Sequence, residues 1–230
     1  SYSDSFSPTA DLYQLSGGAH PAERSAVTEL GAKWLLMDGD LAFRTALFRA
    51  DKEWERSTDL ESSSSILTRK RRTDGIEFEL AGRITPNWEV FSGIAIMDAE
   101  ILEVAPGADP RLKGERPRNT PKATFNLWTT YALGGGWKVG GGVEAKGARY
   151  AYVPYQATST AFTDGSFTPN TAPGYARWDA MVSYEERTWA ARLNVRNVFD
   201  KVYYDAVYDQ GGFAVPGTGR ALILTGEYKF

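Results

Sequence analysis

The feature that most constrains this chain is an alternation of apolar and polar side chains with a period of two residues. In the last segment, one parity contains Leu222, Leu224, Gly226, Tyr228 and Phe230, and the other contains Ala221, Ile223, Thr225, Glu227 and Lys229. The same alternation occurs in 188–199, in 75–80 and in 124–133. Because successive side chains of a β-strand point to opposite faces, these segments are predicted to be strands with one apolar and one polar face.

The alternating segments are long. Strands are predicted at 1–6, 25–36, 41–54, 66–83, 88–103, 121–133, 137–151, 175–185, 188–200 and 217–230. Several of them run to 12 or more residues, beyond the ~5–6 that are usual in globular proteins. About 9–11 residues cross a bilayer at the tilt of a barrel strand. We therefore predict an all-β fold, an antiparallel transmembrane β-barrel, with residues 1–230 as one domain.

The connections between the predicted strands alternate in length. Short links lie at Met37–Asp40, Thr85–Asn87, Gly134–Gly136 and Glu185–Arg187, and long links lie at 7–24, 55–65, 104–120, 152–174 and 201–216. Tight turns on one side and large loops on the other are typical of outer-membrane barrels. If Phe230 lies in the periplasm, every long link is on the outer side. A soluble sandwich has no reason to keep this order over five hairpins.

Composition excludes several classes of function. The net charge of the 230 residues is −3 with both signs interspersed, so no nucleic-acid partner is expected. There is no cysteine, which rules out disulfides, thiolate metal sites and cysteine nucleophiles. No run approaches the ~18 apolar residues of a membrane helix. Residues 1–20 do not resemble a signal peptide, so a leader was removed or the chain begins inside a longer protein.

Local motifs in this chain resemble those of TonB-dependent outer-membrane siderophore receptors. Near the C-terminus, the stretch Asn194–Tyr204 resembles the N-x-x-N-L-F-D-K-x-Y segment of that family. Pro216–Arg220, followed by a strand ending Tyr228-Lys229-Phe230, is similar to the final hairpin of its members. Glu29–Trp34, Asp74–Glu79 and Asn119–Lys122 are similar to recurring strand motifs, and Leu127–Tyr131 adds a likeness to the ferric-catecholate branch.

The resemblance implies a fold and a function. It implies that the chain is about ten C-terminal strands of a barrel of about 22 strands, which surrounds a plug domain that this sequence does not contain. It also implies TonB-energised uptake of a ferric siderophore, with TonB reached through the missing N-terminal plug region and with lipid around the barrel. Tyr228 and Phe230 would then form the C-terminal signature of barrel assembly. Ten strands cannot close such a barrel, so the segments 1–6 and 220–230 are predicted to be open edges.

The facing of side chains follows from the alternation. Outward positions are predicted for Trp189, Leu193, Val195, Leu222, Leu224 and Tyr228, and lumen positions for Arg192, Asn194, Arg196 and Glu227. Arg44, Arg83, Arg149, Arg177, Arg192 and Arg196 lie on or near strands. They are interpreted either as lumen charges paired with Glu77, Glu79, Glu144 and Asp179 or as an electropositive path for anionic chelates.

Candidate ligand-binding residues cluster around the long links, and Arg111 lies in the same group of loops. The set consists of Arg149, Tyr152, Tyr155, Phe162, Phe167, Arg177, Tyr208 and Phe213. Aromatic faces suit the apolar body of a catecholate, and arginine suits its negative charge. The alternative interpretation of the aromatic residues around 152–174, which include Tyr150, Tyr175 and Trp178, is an aromatic girdle with loop packing.

No catalytic residue, metal site or cofactor is predicted. His20 is the only histidine and lies in a long link with no serine or carboxylate constellation beside it. Asp38-Gly39-Asp40 is interpreted as hairpin chemistry rather than a calcium site. Two alternatives to a transporter remain at this point: a small outer-membrane barrel with protease-like activity, and a structural or adhesive barrel.

Overall fold

A computed structural model describes residues 1–7, 21–56, 66–104, 106, 110–151, 170–207 and 214–230. The strands are β1 (Tyr2–Ser7), β2 (Glu23–Leu36), β3 (Leu41–Arg56), β4 (Ile66–Thr85), β5 (Trp88–Val104), β6 (Ala123–Gly134), β7 (Trp137–Lys146), β8 (Arg149–Ala151), β9 (Asn170–Ala172), β10 (Tyr175–Glu185), β11 (Trp189–Arg196), β12 (Tyr204–Val207), β13 (Ala214–Pro216) and β14 (Ala221–Tyr228). Two single 3₁₀ turns lie at Met37–Gly39 and Pro110–Leu112. Within these ranges no helix has the length and apolar content needed to cross a bilayer.

Ten of the strands form one antiparallel sheet in the order β1-β2-β3-β4-β5-β6-β7-β10-β11-β14. Each strand pairs with its neighbour along the chain, apart from two short hairpins, β8–β9 and β12–β13, which lie within long links. The prediction of an all-β, antiparallel, neighbour-paired fold is confirmed. β1 and β14 are the two edges of the sheet, and among the described residues no ladder joins them.

One face of the sheet is apolar along its whole width. At one side, Leu30 lies opposite Leu47, which lies opposite Ile76. At the other side, Leu193 lies between Val182 and Leu224. Several of these side chains are largely uncovered by protein: Leu30 and Leu224 are each 76% exposed, and Leu47 is 56% exposed. A soluble domain would bury such a surface, so the sheet presents an apolar face that needs an apolar neighbour.

The opposite face carries paired charges along the length of the strands. Arg44 contacts Glu79 at 2.7 Å across β3 and β4, and Arg83 contacts Asp40 at 2.7 Å beside the first short turn. The register also puts the six residues predicted to face outward on one side of β11 and β14, and the four predicted lumen residues on the other. The segregation of the two sets follows from the strand period. The pairing of arginines with carboxylates is the first of the two interpretations offered above.

Three predicted strand boundaries were wrong, and all three lie at the long-loop end. The segment predicted at 137–151 breaks after Lys146, and β8 then pairs with β9 instead of continuing the sheet. The segment predicted at 188–200 ends at Arg196, because the chain turns there: Asn197 and Asp200 adopt left-handed φ of 50° and 51°, and the Asp200 N–H donates to the Asn197 carbonyl oxygen. The last strand begins at Ala221 rather than at 217. The links at 152–174 and 201–216 therefore contain short strands.

Candidate functional site at the long-loop end of the sheet

The candidate site lies where the long links meet. The turns at 37–40, 86–87, 135–136 and 186–188 lie at one end of the sheet, and the links at 105–122, 147–174 and 197–220 lie at the other. The described parts of these three links contact one another through buried side chains. We refer to them below as the 105–122, 147–174 and 197–220 loops.

Arg149 joins two of these loops. Its side chain begins on β8 and is 1% exposed. Nη2 donates to the carbonyl oxygen of Tyr204 at 2.6 Å, and Nη1 donates to that of Asp205 at 3.1 Å. The guanidinium also lies over the Tyr175 ring, 5.3 Å from its centroid. A buried charge needs such partners, so Arg149 connects β8 to β12.

Asn119 joins the third loop to the other two. Its backbone N–H donates to the carbonyl oxygen of Tyr150 at 3.0 Å. Its carboxamide Nδ2 donates to the carbonyl oxygen of Val207 at 2.7 Å, and Oδ1 accepts from the Val207 N–H at 2.9 Å. The side chain therefore pairs with β12 as a neighbouring strand would. A φ of 53° permits this geometry, which asparagine tolerates better than most residues.

A small apolar cluster lies between the two hairpins. Ala151, Ala172 and Val207 are 0%, 1% and 3% exposed, and Ala214 packs against them. These residues are the roots of the segments 152–169 and 208–213. The two segments therefore leave the sheet from one packed base.

A polar network lies beside this base. Tyr175 donates its hydroxyl to Glu144 at 2.7 Å and lies 3.2 Å from Asp205, while Lys146 donates to Asp205 at 3.1 Å. Partial burial opposes ionisation of Asp205. The hydrogen bond and charge of Lys146 outweigh that effect and hold the pKa of the Asp205 carboxyl below its usual value. The hairpin root is therefore attached to β7 and β10 by charge as well as by packing.

Arg177 is held by three partners. Nη2 contacts Glu144 at 3.1 Å and Asp179 at 3.0 Å, and Nη1 donates to the Tyr203 hydroxyl at 3.1 Å. Glu144 and Asp179 are two of the carboxylates proposed from the sequence as partners of interior arginines. The ring of Tyr203 lies 4.3 Å from that of Tyr175, centroid to centroid. Arg177 thereby stabilises the ring that begins the β12 hairpin.

Asn197, within the C-terminal motif, is the anchor of the 197–220 loop. It is 1% exposed. Its Nδ2 donates to the carbonyl oxygens of Lys201 at 2.9 Å and Thr218 at 3.1 Å, and its Oδ1 accepts from the Lys201 N–H at 2.9 Å. Gly217 lies against the Tyr203 ring, and a Cβ at that position would lie 2.1 Å from it. The motif that carries the family resemblance is therefore a structural anchor.

Asn197→Ala should destabilise this loop by about 2–4 kcal/mol. It removes the side-chain partners of three backbone groups, and alanine tolerates a φ of 50° less well than asparagine does. Asn197→Gly loses the same hydrogen bonds without the backbone strain, and it should cost about 1–2 kcal/mol less. Hydrogen exchange of residues 198–203 in the full-length parent measures both effects. Equal protection in Asn197→Ala and the unaltered protein would contradict this role.

The structure describes only part of the predicted ligand set. Arg149 and Arg177 are brought within one network, and their contacts among the described residues are made to the protein. Tyr152, Tyr155, Phe162, Phe167, Tyr208, Phe213 and His20 lie outside the described residues, so their roles stay predictions. Sequence reasoning missed the connecting role of Asn119, because nothing in an Asn-x-Pro motif indicates a partner 88 residues away. Tyr228 and Phe230 are exposed and pack edge to face at 5.1 Å, and their role in assembly stays a prediction.

A meander of ten strands as long as 20 residues, with an uncovered apolar face and large loops at one end, is the wall of a large outer-membrane-type β-barrel. The chain belongs to the TonB dependent receptor-like β-barrel family, whose model matches residues 1–198. Members of this family are outer-membrane proteins of Gram-negative bacteria.

Similar proteins are receptors. The chain is 32% identical to the probable TonB-dependent receptor BfrD of Bordetella pertussis and 31% identical to the catecholate siderophore receptor Fiu of Escherichia coli K12, over 90% of its own length in each case. The closed-form crystal structure of Fiu, a ferric-catecholate import receptor, superposes with a TM-score of 0.76 at 27% identity over the whole chain. The siderophore receptor PiuA from Acinetobacter baumannii has the same fold, with a TM-score of 0.79 at 24% identity.

The chain spans only part of these proteins. It covers 27% of BfrD and 26% of Fiu as curated sequences, and 32% of the Fiu crystal chain. The matched portion is a segment of barrel wall with its loops.

Proposed function

We propose that this chain is part of the barrel wall of an outer-membrane receptor that imports a ferric siderophore with energy supplied through TonB. The observation that carries the proposal is the joining of three long loops at one end of a barrel wall of this family. The names of the similar proteins support a ferric siderophore as cargo. The Fiu likeness, with Leu127–Tyr131, supports a catecholate.

The uncovered apolar face supports a lipid environment. Exposed Leu30, Leu47 and Leu224 lie on it. The charged pairs Arg49–Asp74 and Asp51–Arg72 on this face lie on the loop side of Leu47 and Ile76. In a closed barrel the apolar face contacts lipid and the polar face surrounds water or an interior domain. The outer membrane is therefore the proposed location, and TonB would act through a plug region outside this chain.

Chelate contact is proposed for the aromatic residues of the loops. Tyr152, Tyr155, Phe162, Phe167, Tyr208 and Phe213 all lie in the two segments that leave the common base at Ala151, Ala172, Val207 and Ala214. Arg149 and Arg177 belong to the same proposed site. Because their guanidinium groups are engaged by Tyr204, Asp205, Glu144 and Asp179, their proposed contribution is to hold the loop roots. The receptor role involves no catalysis.

Deletion of residues 155–170 from the full-length parent should abolish growth on a chelate. The test uses an iron-starved host that lacks its own receptors and a panel of ferric catecholates and hydroxamates. The matched control is deletion of 58–64, which removes a long link outside the proposed site, and it should leave growth intact. Surface exposure and unchanged migration of the folded protein in unboiled gels show that each variant is assembled.

Normal growth of the 155–170 deletion on every chelate of the panel would contradict a binding role for this loop. Failure of the unaltered parent to use any chelate would contradict the receptor function itself. Loss of growth in both deletions would show a general need for the outer loops rather than a specific one for 152–174.

A further inference from the structure

We propose that Asn119 is a positioning residue that locks the 197–220 loop to the 105–122 and 147–174 loops, so that the three present one chelate-recognition surface. This inference rests on the proposed function. It assigns a role to Asn119 in the Asn-x-Pro motif, which by its sequence is only similar to a recurring motif of the family.

The contacts of Asn119 reach all three loops at once. Its own backbone belongs to the 105–122 loop, its N–H is bonded to Tyr150 in β8, and its carboxamide is bonded to both backbone polar groups of Val207 in β12. The carboxamide satisfies a donor and an acceptor that would otherwise need water at a residue only 3% exposed. Asn119 therefore takes the place of a strand partner that β12 lacks on this side.

Arg149 holds the same short strand from the other loop. It bonds the carbonyl oxygens of Tyr204 and Asp205, while Asn119 bonds Val207, so the two side chains hold β12 along its length. Neither side chain continues a sheet ladder. The β12–β13 hairpin is thus positioned by side-chain contacts and packing rather than by pairing with the main sheet, and Asn119 supplies the contact from the 105–122 loop. Loss of one such contact favours local opening of the hairpin.

Recognition by several loops depends on their relative positions. A ligand that contacts two loops must restrict their relative motion, which costs conformational entropy. Hydrogen bonds that already join the bases of the loops remove most of that cost before binding. Loss of the lock should weaken the apparent affinity for the chelate. The maximal transport rate should remain, because the barrel is unaltered.

The test uses Asn119→Gly in the full-length parent. Glycine adopts a φ of 53° without strain, so this variant deletes the carboxamide and leaves the backbone conformation available. Asn119→Asp is the isosteric second variant, which keeps an acceptor for the Val207 N–H but loses the donor to its carbonyl oxygen. Asn87→Ala is the control, because it removes a carboxamide from the short turn between β4 and β5, at the opposite end of the sheet.

Opening of the apolar cluster at the base of the loops is measured without any ligand. The chain has no cysteine, so Ala172→Cys can report on the apolar cluster, in which Ala172 is 1% exposed. Its labelling by a membrane-impermeant maleimide on intact cells should be about tenfold faster in Asn119→Gly, because two hydrogen bonds of ordinary strength are lost. Asn119→Asp should show faster labelling too, and Asn87→Ala should match the unaltered protein.

Uptake of a radiolabelled ferric tris-catecholate completes the test. We expect the half-saturating concentration to rise about tenfold in Asn119→Gly with an unchanged maximal rate. Unchanged labelling would overturn the proposed lock. Faster labelling with unchanged half-saturation would overturn the link to recognition and leave the receptor function standing. Absence of uptake in the unaltered parent would overturn the proposed function and, with it, this recognition role.

Discussion

Replacing Arg149 with methionine should release the 204–216 hairpin from the rest of the protein while the ten-stranded sheet remains folded. Methionine fills a similar volume but donates nothing. The carbonyl oxygens of Tyr204 and Asp205 then lose charged donors at 2.6 and 3.1 Å, from an arginine that is 1% exposed. Removing one partner of a buried, charge-assisted set of hydrogen bonds lowers the free energy of unfolding by about 3–5 kcal/mol. The cost falls on the hairpin because ladder hydrogen bonds hold the main sheet independently of Arg149.

Hydrogen exchange resolves this loss by segment. Residues 204–207 and 214–216 should lose protection in Arg149→Met, and residues 189–196 should keep it. Arg44→Met is the matched control: Arg44 is paired with Glu79, but both side chains are about half exposed, and such surface pairs contribute about 0–1 kcal/mol. Retained protection of β12 in Arg149→Met would show that the remaining contacts of Val207 and Asp205 hold the hairpin without Arg149.

Arginine at Leu224 should destabilise the barrel by about 2–4 kcal/mol, whereas arginine at Ile223 should be tolerated. Leu224 is 76% exposed at the middle of β14, on the apolar face opposite Leu193. Ile223 is the next residue along the chain and lies opposite Asn194 on the polar face. The substitution is the same in size and charge at both positions. A difference therefore reports the surroundings of each face, and the expected figure is that for a basic residue near the bilayer midplane.

Reversible unfolding of the parent protein in lipid vesicles provides the measurement. The free energy of unfolding should fall in Leu224→Arg and change by less than about 1 kcal/mol in Ile223→Arg, whose side chain reaches water. Equal losses at the two positions would contradict a lipid-facing surface on this side of β14.

The alternation of side chains was sufficient to predict most of the sheet. It predicted the ten strands, their pairing with neighbours and the division of Leu193 and Arg192 between faces, because a period of two determines the face of every residue once the register is known. The spacing of short and long links predicted which loops share an end. These are local properties, so they can be recognised in the sequence without knowing which distant residues are in contact.

The loop end could not be predicted in the same way. Nothing local indicates that β7 stops at Lys146, that Asn197 turns the chain through a left-handed conformation, or that the short hairpins exist. The hydrogen bonds of Arg149 to Tyr204 and of Asn119 to Val207 join residues 55 and 88 positions apart. Their formation depends on how neighbouring hairpins converge where the sheet ends.

By itself, the sequence determined the architecture of the barrel wall, because the period of the strands and the length of the links depend only on residues that are close together in the chain. It also predicted the family, through motifs of which those containing Asn119 and Asn197 make anchoring contacts in the structure. Only the tertiary structure decided what Arg149, Arg177 and Asn119 do. A charged or amide side chain near a loop has the same appearance in sequence whether it faces a ligand or a buried carbonyl oxygen. Burial at 1% exposure, with donors aimed at backbone oxygens of another loop, distinguishes the two for Arg149.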